Sequence, residues 1–71
     1  MTALALTVNG EPFEVAAGST IADLVARVTE EVEPKGVAVA VDRCVIPRSE
    51  WGRTPARAGS LVEVVSASAG G

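Results

Sequence analysis

The pair Asn9-Gly10 constrains this chain more than any other two residues in it. Before it, Leu4, Leu6 and Val8 alternate with Ala3, Ala5 and Thr7, the period of a strand with one richer apolar face. After it, Phe13 and Val15 alternate again. A two-residue connection of this composition suits a type I′ turn, which needs positive φ at both central positions and matches the twist of the strands it joins. The sequence therefore opens with a β-hairpin, and the rest of the chain must pack on it or beside it.

A lone hairpin cannot hide its apolar face, and the next segment supplies a cover. Gly18 breaks the second strand, and Thr20 heads an apolar run with Asp23 three residues on. This is a capping-box arrangement with Asp in place of the usual Glu or Gln. Ile21, Leu24, Val25, Val28 and Val32 recur at helical spacing, so one stripe faces the sheet. Pro34-Lys35-Gly36 is expected to end the helix. Glu30, Glu31 and Glu33 crowd that end against the sign of the macrodipole; a solvated face accounts for them, with an acidic docking patch as the alternative.

Val37, Val39 and Val41, interleaved with Ala38 and Ala40, predict a strand apolar on both faces, which suits an interior place in a sheet. Asp42-Arg43 turns the chain, and Cys44-Val45-Ile46 is a short strand stopped by Pro47. From there to Gly59 no periodicity holds. Ser49 is placed to cap a single turn carrying Trp51, whose ring is expected to cover one end of the core. Arg43, Arg48, Arg53 and Arg57 face only Glu50 in this region, as a solvated loop or a basic contact surface. Ala58-Gly59-Ser60 makes the last turn, and Leu61-Val62-Glu63-Val64-Val65 is the final strand. Val62 and Val64 should point inward, leaving Leu61 and Val65 partly exposed.

Strand, strand, helix, strand, short strand, strand is the order of a two-layer α+β domain. At 71 residues the chain is one small domain with no room for a deep enclosed pocket. Its chemistry is sparse, with no His, no Tyr and one Cys. The commonest general base and metal ligand is missing, and Cys44 has no second Cys for a disulfide or a zinc site. Cys44 is expected to be a small half-buried hydrophobe, with a reactive thiol as the alternative. Self-contained catalysis and a bound metal are therefore not expected. A net charge of −3 with two aromatic residues argues against nucleic acid or an anionic membrane as partner. No apolar run approaches the roughly 20 residues of a membrane span. No basic stretch precedes the short apolar start as in a signal peptide. A cytoplasmic protein is expected.

The last stretch, Ser66-Ala67-Ser68-Ala69-Gly70-Gly71, is made of small residues throughout. It can add little to a core and would ordinarily fray. It can also thread a narrow slot, since glycine permits close backbone approach. A terminal carboxylate, ionised at neutral pH, is a competent nucleophile when a partner supplies the electrophile.

These pieces carry a resemblance. Val8-Asn9-Gly10, Ala17-Gly18-Ser19-Thr20-Ile21 with Leu24, Val39-Ala40-Val41-Asp42, Val45-Ile46-Pro47-Arg48 with Trp51, Gly59 and Gly70-Gly71 occur in order across nearly the whole chain. In that order they resemble the β-grasp, ubiquitin-like sulfur carriers, and most closely the thiamine-biosynthesis sulfur carrier (ThiS) family. Asp42 stands where the family often has Asn, and Ser60 where it often has Asp. Ser-Ala-Ser-Ala precedes the glycines in place of bulkier residues, which leaves partner choice open.

The resemblance implies a β-grasp domain over residues 1–66, a mixed sheet packed on one main helix, with a flexible carrier tail over 67–71. It implies a protein co-substrate and not an enzyme. An E1-like adenylyltransferase (ThiF-like) would use ATP and Mg²⁺ to adenylate the Gly71 carboxylate. A persulfide derived from a cysteine desulfurase would convert it to a thiocarboxylate, and a thiazole synthase (ThiG-like) would accept the sulfur. Gly70 and Ala69 would thread the tail into the partner. Leu61 and Val65, with Trp51 and Arg48, would form docking surface. No cofactor is expected on this chain itself. A sulfur carrier for molybdopterin or another sulfur-containing metabolite, a ubiquitin-like protein modifier and a plain β-grasp interaction domain are the alternatives. The Pro-rich approach to the glycines that molybdopterin carriers typically have is absent here.

Overall fold

The computed structural model describes residues 2–31 and 35–66. Val32, Glu33 and Pro34 lie outside them, as do residues 67–71 with Ala69, Gly70 and Gly71. The elements run β1 (Ala3–Val8), β2 (Glu11–Ala16), α1 (Ile21–Thr29), β3 (Val37–Val41), β4 (Cys44–Ile46), a 3₁₀ helix (Arg48–Arg53) and β5 (Leu61–Ser66). The strands form one mixed sheet in the order β2-β1-β5-β3-β4.

The first hairpin pairs Ala3 with Ala16 through Val8 with Glu11. Its turn has φ 51° at Asn9 and 82° at Gly10, the two positive values that the sequence requires. A second hairpin joins β3 to β4 through Asp42 and Arg43, at φ 50° and 71°. The last strand enters the sheet between the two hairpins. β5 runs parallel to β1 and antiparallel to β3. β3 is an interior strand, as its two apolar faces predict.

Helix α1 starts where Thr20 and Asp23 cap it reciprocally. The Asp23 N–H donates to Thr20 Oγ1 at 3.3 Å and the Thr20 N–H to Asp23 Oδ2 at 2.9 Å. The Ile21 N–H donates to the Thr54 carbonyl and the Ala56 N–H to the Ser19 carbonyl, tying the helix start to the loop before β5. Ile21, Leu24 and Val25 are buried against Leu6, Val8, Val15, Val39 and Val62, with Val28 partly buried beside them. Arg27 clips the helix to β2, donating to the Glu14 carbonyl at 2.7 Å with its guanidinium 5.0 Å above the Phe13 ring.

The helix stops earlier than the stripe of valines predicts. Thr29 Oγ1 donates back to the Val25 carbonyl at 2.8 Å and accepts the Glu31 N–H at 3.3 Å. Glu30 is left-handed at φ 61°, which caps the helix at this point. A side chain that bonds its own backbone competes with another helical turn, and that competition wins here ahead of Pro34. The expected place of Val32 on the helical stripe falls outside the described residues.

The segment after β4 also differs in detail. Its 3₁₀ helix is capped by Pro47 with no side-chain cap bond, so Ser49 lies inside it. Proline pre-sets the entry angle and needs no donor there. Trp51 is 5% exposed, with its Nε1–H donating to the Ile46 carbonyl at 2.9 Å. It closes one end of the core, as predicted. No helix among the described residues is long and apolar enough to cross a membrane.

Candidate functional site

The expected site is the C-terminal tail, and β5 is its root. Along one edge β5 pairs with β3 from Val62, opposite Val41, to Ser66, opposite Val37. Along the other edge β1 pairs only Thr7 with Leu61 and Val8 with Val62 before it turns away. Two turn side chains then add bonds to β5. From the first hairpin, Asn9 Oδ1 accepts the Val64 N–H at 2.9 Å, and Asn9 Nδ2 donates to the Val64 carbonyl at 3.2 Å. From the second, Asp42 Oδ1 accepts the Leu61 N–H at 2.9 Å, while the Asp42 N–H donates to the Leu61 carbonyl at 2.7 Å. Asn and Asp suit these turns because they tolerate left-handed backbone; here their side chains also bind the strand that carries the tail.

Alternation along β5 divides its residues between two faces. Val62 is buried and Val64 partly buried against the helix side, whereas Leu61 and Val65 are 51% and 60% exposed. Ala38 lies opposite Val65, Ala40 opposite Glu63, and Val45 opposite Ala40. Directly paired residues share a face, so Leu61, Val65, Val45, Ala38 and Ala40 gather on the helix-free side of the sheet, with the exposed Glu63 carboxylate between Leu61 and Val65. Among the described residues Val45 is the most exposed large hydrophobe, at 74%. Exposed apolar residues gathered this way are uncommon on a surface with nothing to bind. At the β5 start, Thr7, Gly10, Arg43, Leu61, Val62 and Glu63 line a shallow cleft of about 210 Å³.

The other expected docking residues divide. Arg48 is exposed, with its guanidinium 4.9 Å above the Trp51 ring. Trp51 itself is a core residue, so its ring supports Arg48 and is not offered to a partner. Arg43, Arg53 and Arg57 are exposed. Arg53 makes only a surface ion pair with Glu50 at 3.7 Å, a contact worth little. Cys44 is exposed and not half-buried: it opens the three-residue edge strand, beside the turn and with no strand beyond it. Among the described residues no group of His, Cys, Asp and Glu is arranged to hold a metal ion. Gly71, Gly70 and Ala69 lie outside the described residues.

Sequence reasoning treats Asn9 and Asp42 as turn residues only and does not single out Val45. The turn chemistry is visible in the sequence. What the side chains bind is not, because Val64 lies 55 residues from Asn9.

A mixed five-stranded sheet crossed by one helix, with the last strand at its centre between two hairpins, defines a β-grasp domain. Its last strand is paired on both edges and leads into the C-terminal residues. The family model of the ThiS family matches residues 6–71. The crystal structure of the thiamine biosynthesis protein (ThiS) from Geobacter metallireducens is 27% identical, with a TM-score of 0.72 over 96% of this chain and 100% of that one. No curated protein matches. The chain therefore belongs to the ThiS family, small sulfur carriers of thiamine biosynthesis.

Proposed function

We propose that this chain carries sulfur as a thiocarboxylate on Gly71 and donates it for thiazole formation in thiamine biosynthesis. The observation that carries the proposal is the family match, which extends through residue 71 and so includes Gly70-Gly71. The central position of β5 supports it, since a strand paired on both edges gives a fixed base to the segment beyond Ser66.

The chemistry divides between the chain and its partners. The Gly71 carboxylate attacks the α-phosphorus of ATP and pyrophosphate leaves, giving an acyl adenylate. A persulfide sulfur then attacks the acyl carbon, AMP leaves, and an acyl disulfide links the chain to the sulfur donor. A thiol cleaves that disulfide, leaving the thiocarboxylate on Gly71 and a disulfide on the donor side. An E1-like adenylyltransferase supplies the Mg²⁺ and phosphate contacts, for this chain has no phosphate-cradling glycine loop. A cysteine desulfurase supplies the persulfide, and a thiazole synthase takes the sulfur. Gly70 and Ala69 offer a neck thin enough to enter the partner's site. Leu61 and Val65, with Val45 on the edge strand β4 and Arg48 just beyond it, form the docking face. The proposed setting is the cytoplasm.

The test is the intact mass of the chain purified from cells expressing its own pathway, with and without Gly71. The expected result is a gain equal to one oxygen exchanged for sulfur, lost when Gly71 is deleted. Unmodified mass with Gly71-dependent adducts on other proteins would identify a protein modifier. Unmodified mass without adducts, with ATP and an adenylyltransferase present, would leave a binding domain.

A further inference from the structure

The first hairpin turn contributes more to β5 than its backbone geometry requires. β1 stops at Val8, and Asn9 turns the chain away at φ 51°. The Asn9 N–H still donates to the Val62 carbonyl at 2.9 Å. Beyond that point the β1 backbone no longer runs beside β5. The carboxamide of Asn9 has the donor and acceptor of a peptide group, and it meets both the N–H and the carbonyl of Val64. It therefore acts as one more residue of a strand that has already left the sheet.

A type I′ turn does not call for this. Glycine or aspartate satisfies the positive φ at the first turn position as well as asparagine does. Only asparagine also supplies one donor and one acceptor at the end of a short side chain.

We propose that Asn9 is a positioning residue for the C-terminal carrier segment, holding β5 paired on both edges as far as Val64. The proposal rests on the carrier function given above. Five residues, 67–71, follow β5, and extended they reach at most ~17 Å. If the Asn9 bonds to Val64 are lost, β3 alone holds β5 from there to Ser66, and more of the chain must be ordered each time the tail enters a partner's site. Ordering cost of that kind weakens binding and leaves the chemical step alone. The signature is a raised KM for the chain in adenylation at nearly constant kcat.

The experiment uses the full chain, its Asn9→Gly variant, which keeps the turn, and Thr20→Ala, which loses a helix cap whose side chain makes no bond to β5. Amide hydrogen exchange is followed at Val64 and at core amides such as Leu24, and ATP–pyrophosphate exchange is measured with an E1-like adenylyltransferase. Expected for Asn9→Gly are exchange at Val64 about fivefold faster than any change at Leu24, as for one lost hydrogen bond, and a KM raised about threefold or more with kcat within about twofold. Thr20→Ala should keep the wild-type KM. Equal acceleration at Val64 and Leu24, or an unchanged KM in Asn9→Gly, overturns the positioning role while the carrier function stands. A matching KM rise in Thr20→Ala assigns the effect to lost stability and overturns it too. Wild-type chain that supports no pyrophosphate exchange overturns the carrier function and the positioning role together.

Discussion

Gly10 and Gly52 show how residue-scale physics separates two glycines of similar surroundings. An added Cβ would meet nothing within 4 Å at either position. Gly10, however, sits at φ 82°, a region where a side chain crowds the following carbonyl, whereas Gly52 lies in the 3₁₀ helix without a positive φ. Gly10→Ala should therefore cost about 1–2 kcal/mol. Gly52→Ala should be neutral or add up to ~1 kcal/mol by restricting the unfolded chain. Urea unfolding of the two variants checks both signs. Asn9 and Asp42 follow the same logic with an added role, because their side chains meet β5 while their backbones make the turns. Local sequence identifies both as turn formers; only the fold gives them a strand to bind.

Among the elements, β5 is the most legible from sequence in one respect and the least in another. Its alternation places Val62 inward and Leu61 and Val65 outward, because side chains alternate across a pleated strand whatever its neighbours are. Val62→Ala should cost about 2 kcal/mol, from lost burial and the cavity left behind. Val65→Ala should change stability by less than about 0.5 kcal/mol. Thermal unfolding of the pair distinguishes the two faces. Helix α1 is legible at its start, where Thr20 and Asp23 are three residues apart and need only each other. Its end is not. The apolar stripe continues to Val32, but Thr29 satisfies its own hydroxyl on the preceding turn and Glu30 takes the left-handed cap. Backbone competition of this kind leaves no period in the sequence. The exposure of Cys44 escapes the sequence because nothing local says that β4 is an edge strand, whose first residue is reached by solvent.

At the scale of the whole molecule, the helix covers one side of the sheet and leaves the other to Leu61, Val65, Val45 and two alanines of β3, with Glu63 among them. This division yields a prediction about partners. Leu61→Asp and Val65→Asp together flank Glu63 on one face of β5, so they should cost about 1–2 kcal/mol while the core residue Val62 is untouched. They should weaken binding to the adenylyltransferase at least tenfold by placing charge in an apolar contact. Calorimetric titration of the folded double variant against wild type measures this, and equal affinity would remove the helix-free face from the docking surface. Residue order alone is enough to specify the hairpins, the capped helix start, the outward residues of the last strand and the small-residue tail. Each rests on contacts between near neighbours or on the fixed period of a strand or helix. The three-dimensional arrangement was needed to put β5 at the centre of the sheet, to make Trp51 core and not docking surface, and to join Asn9 to Val64. Those outcomes link residues far apart in the chain, and a strand's pairing partners depend on which edges the rest of the fold leaves open.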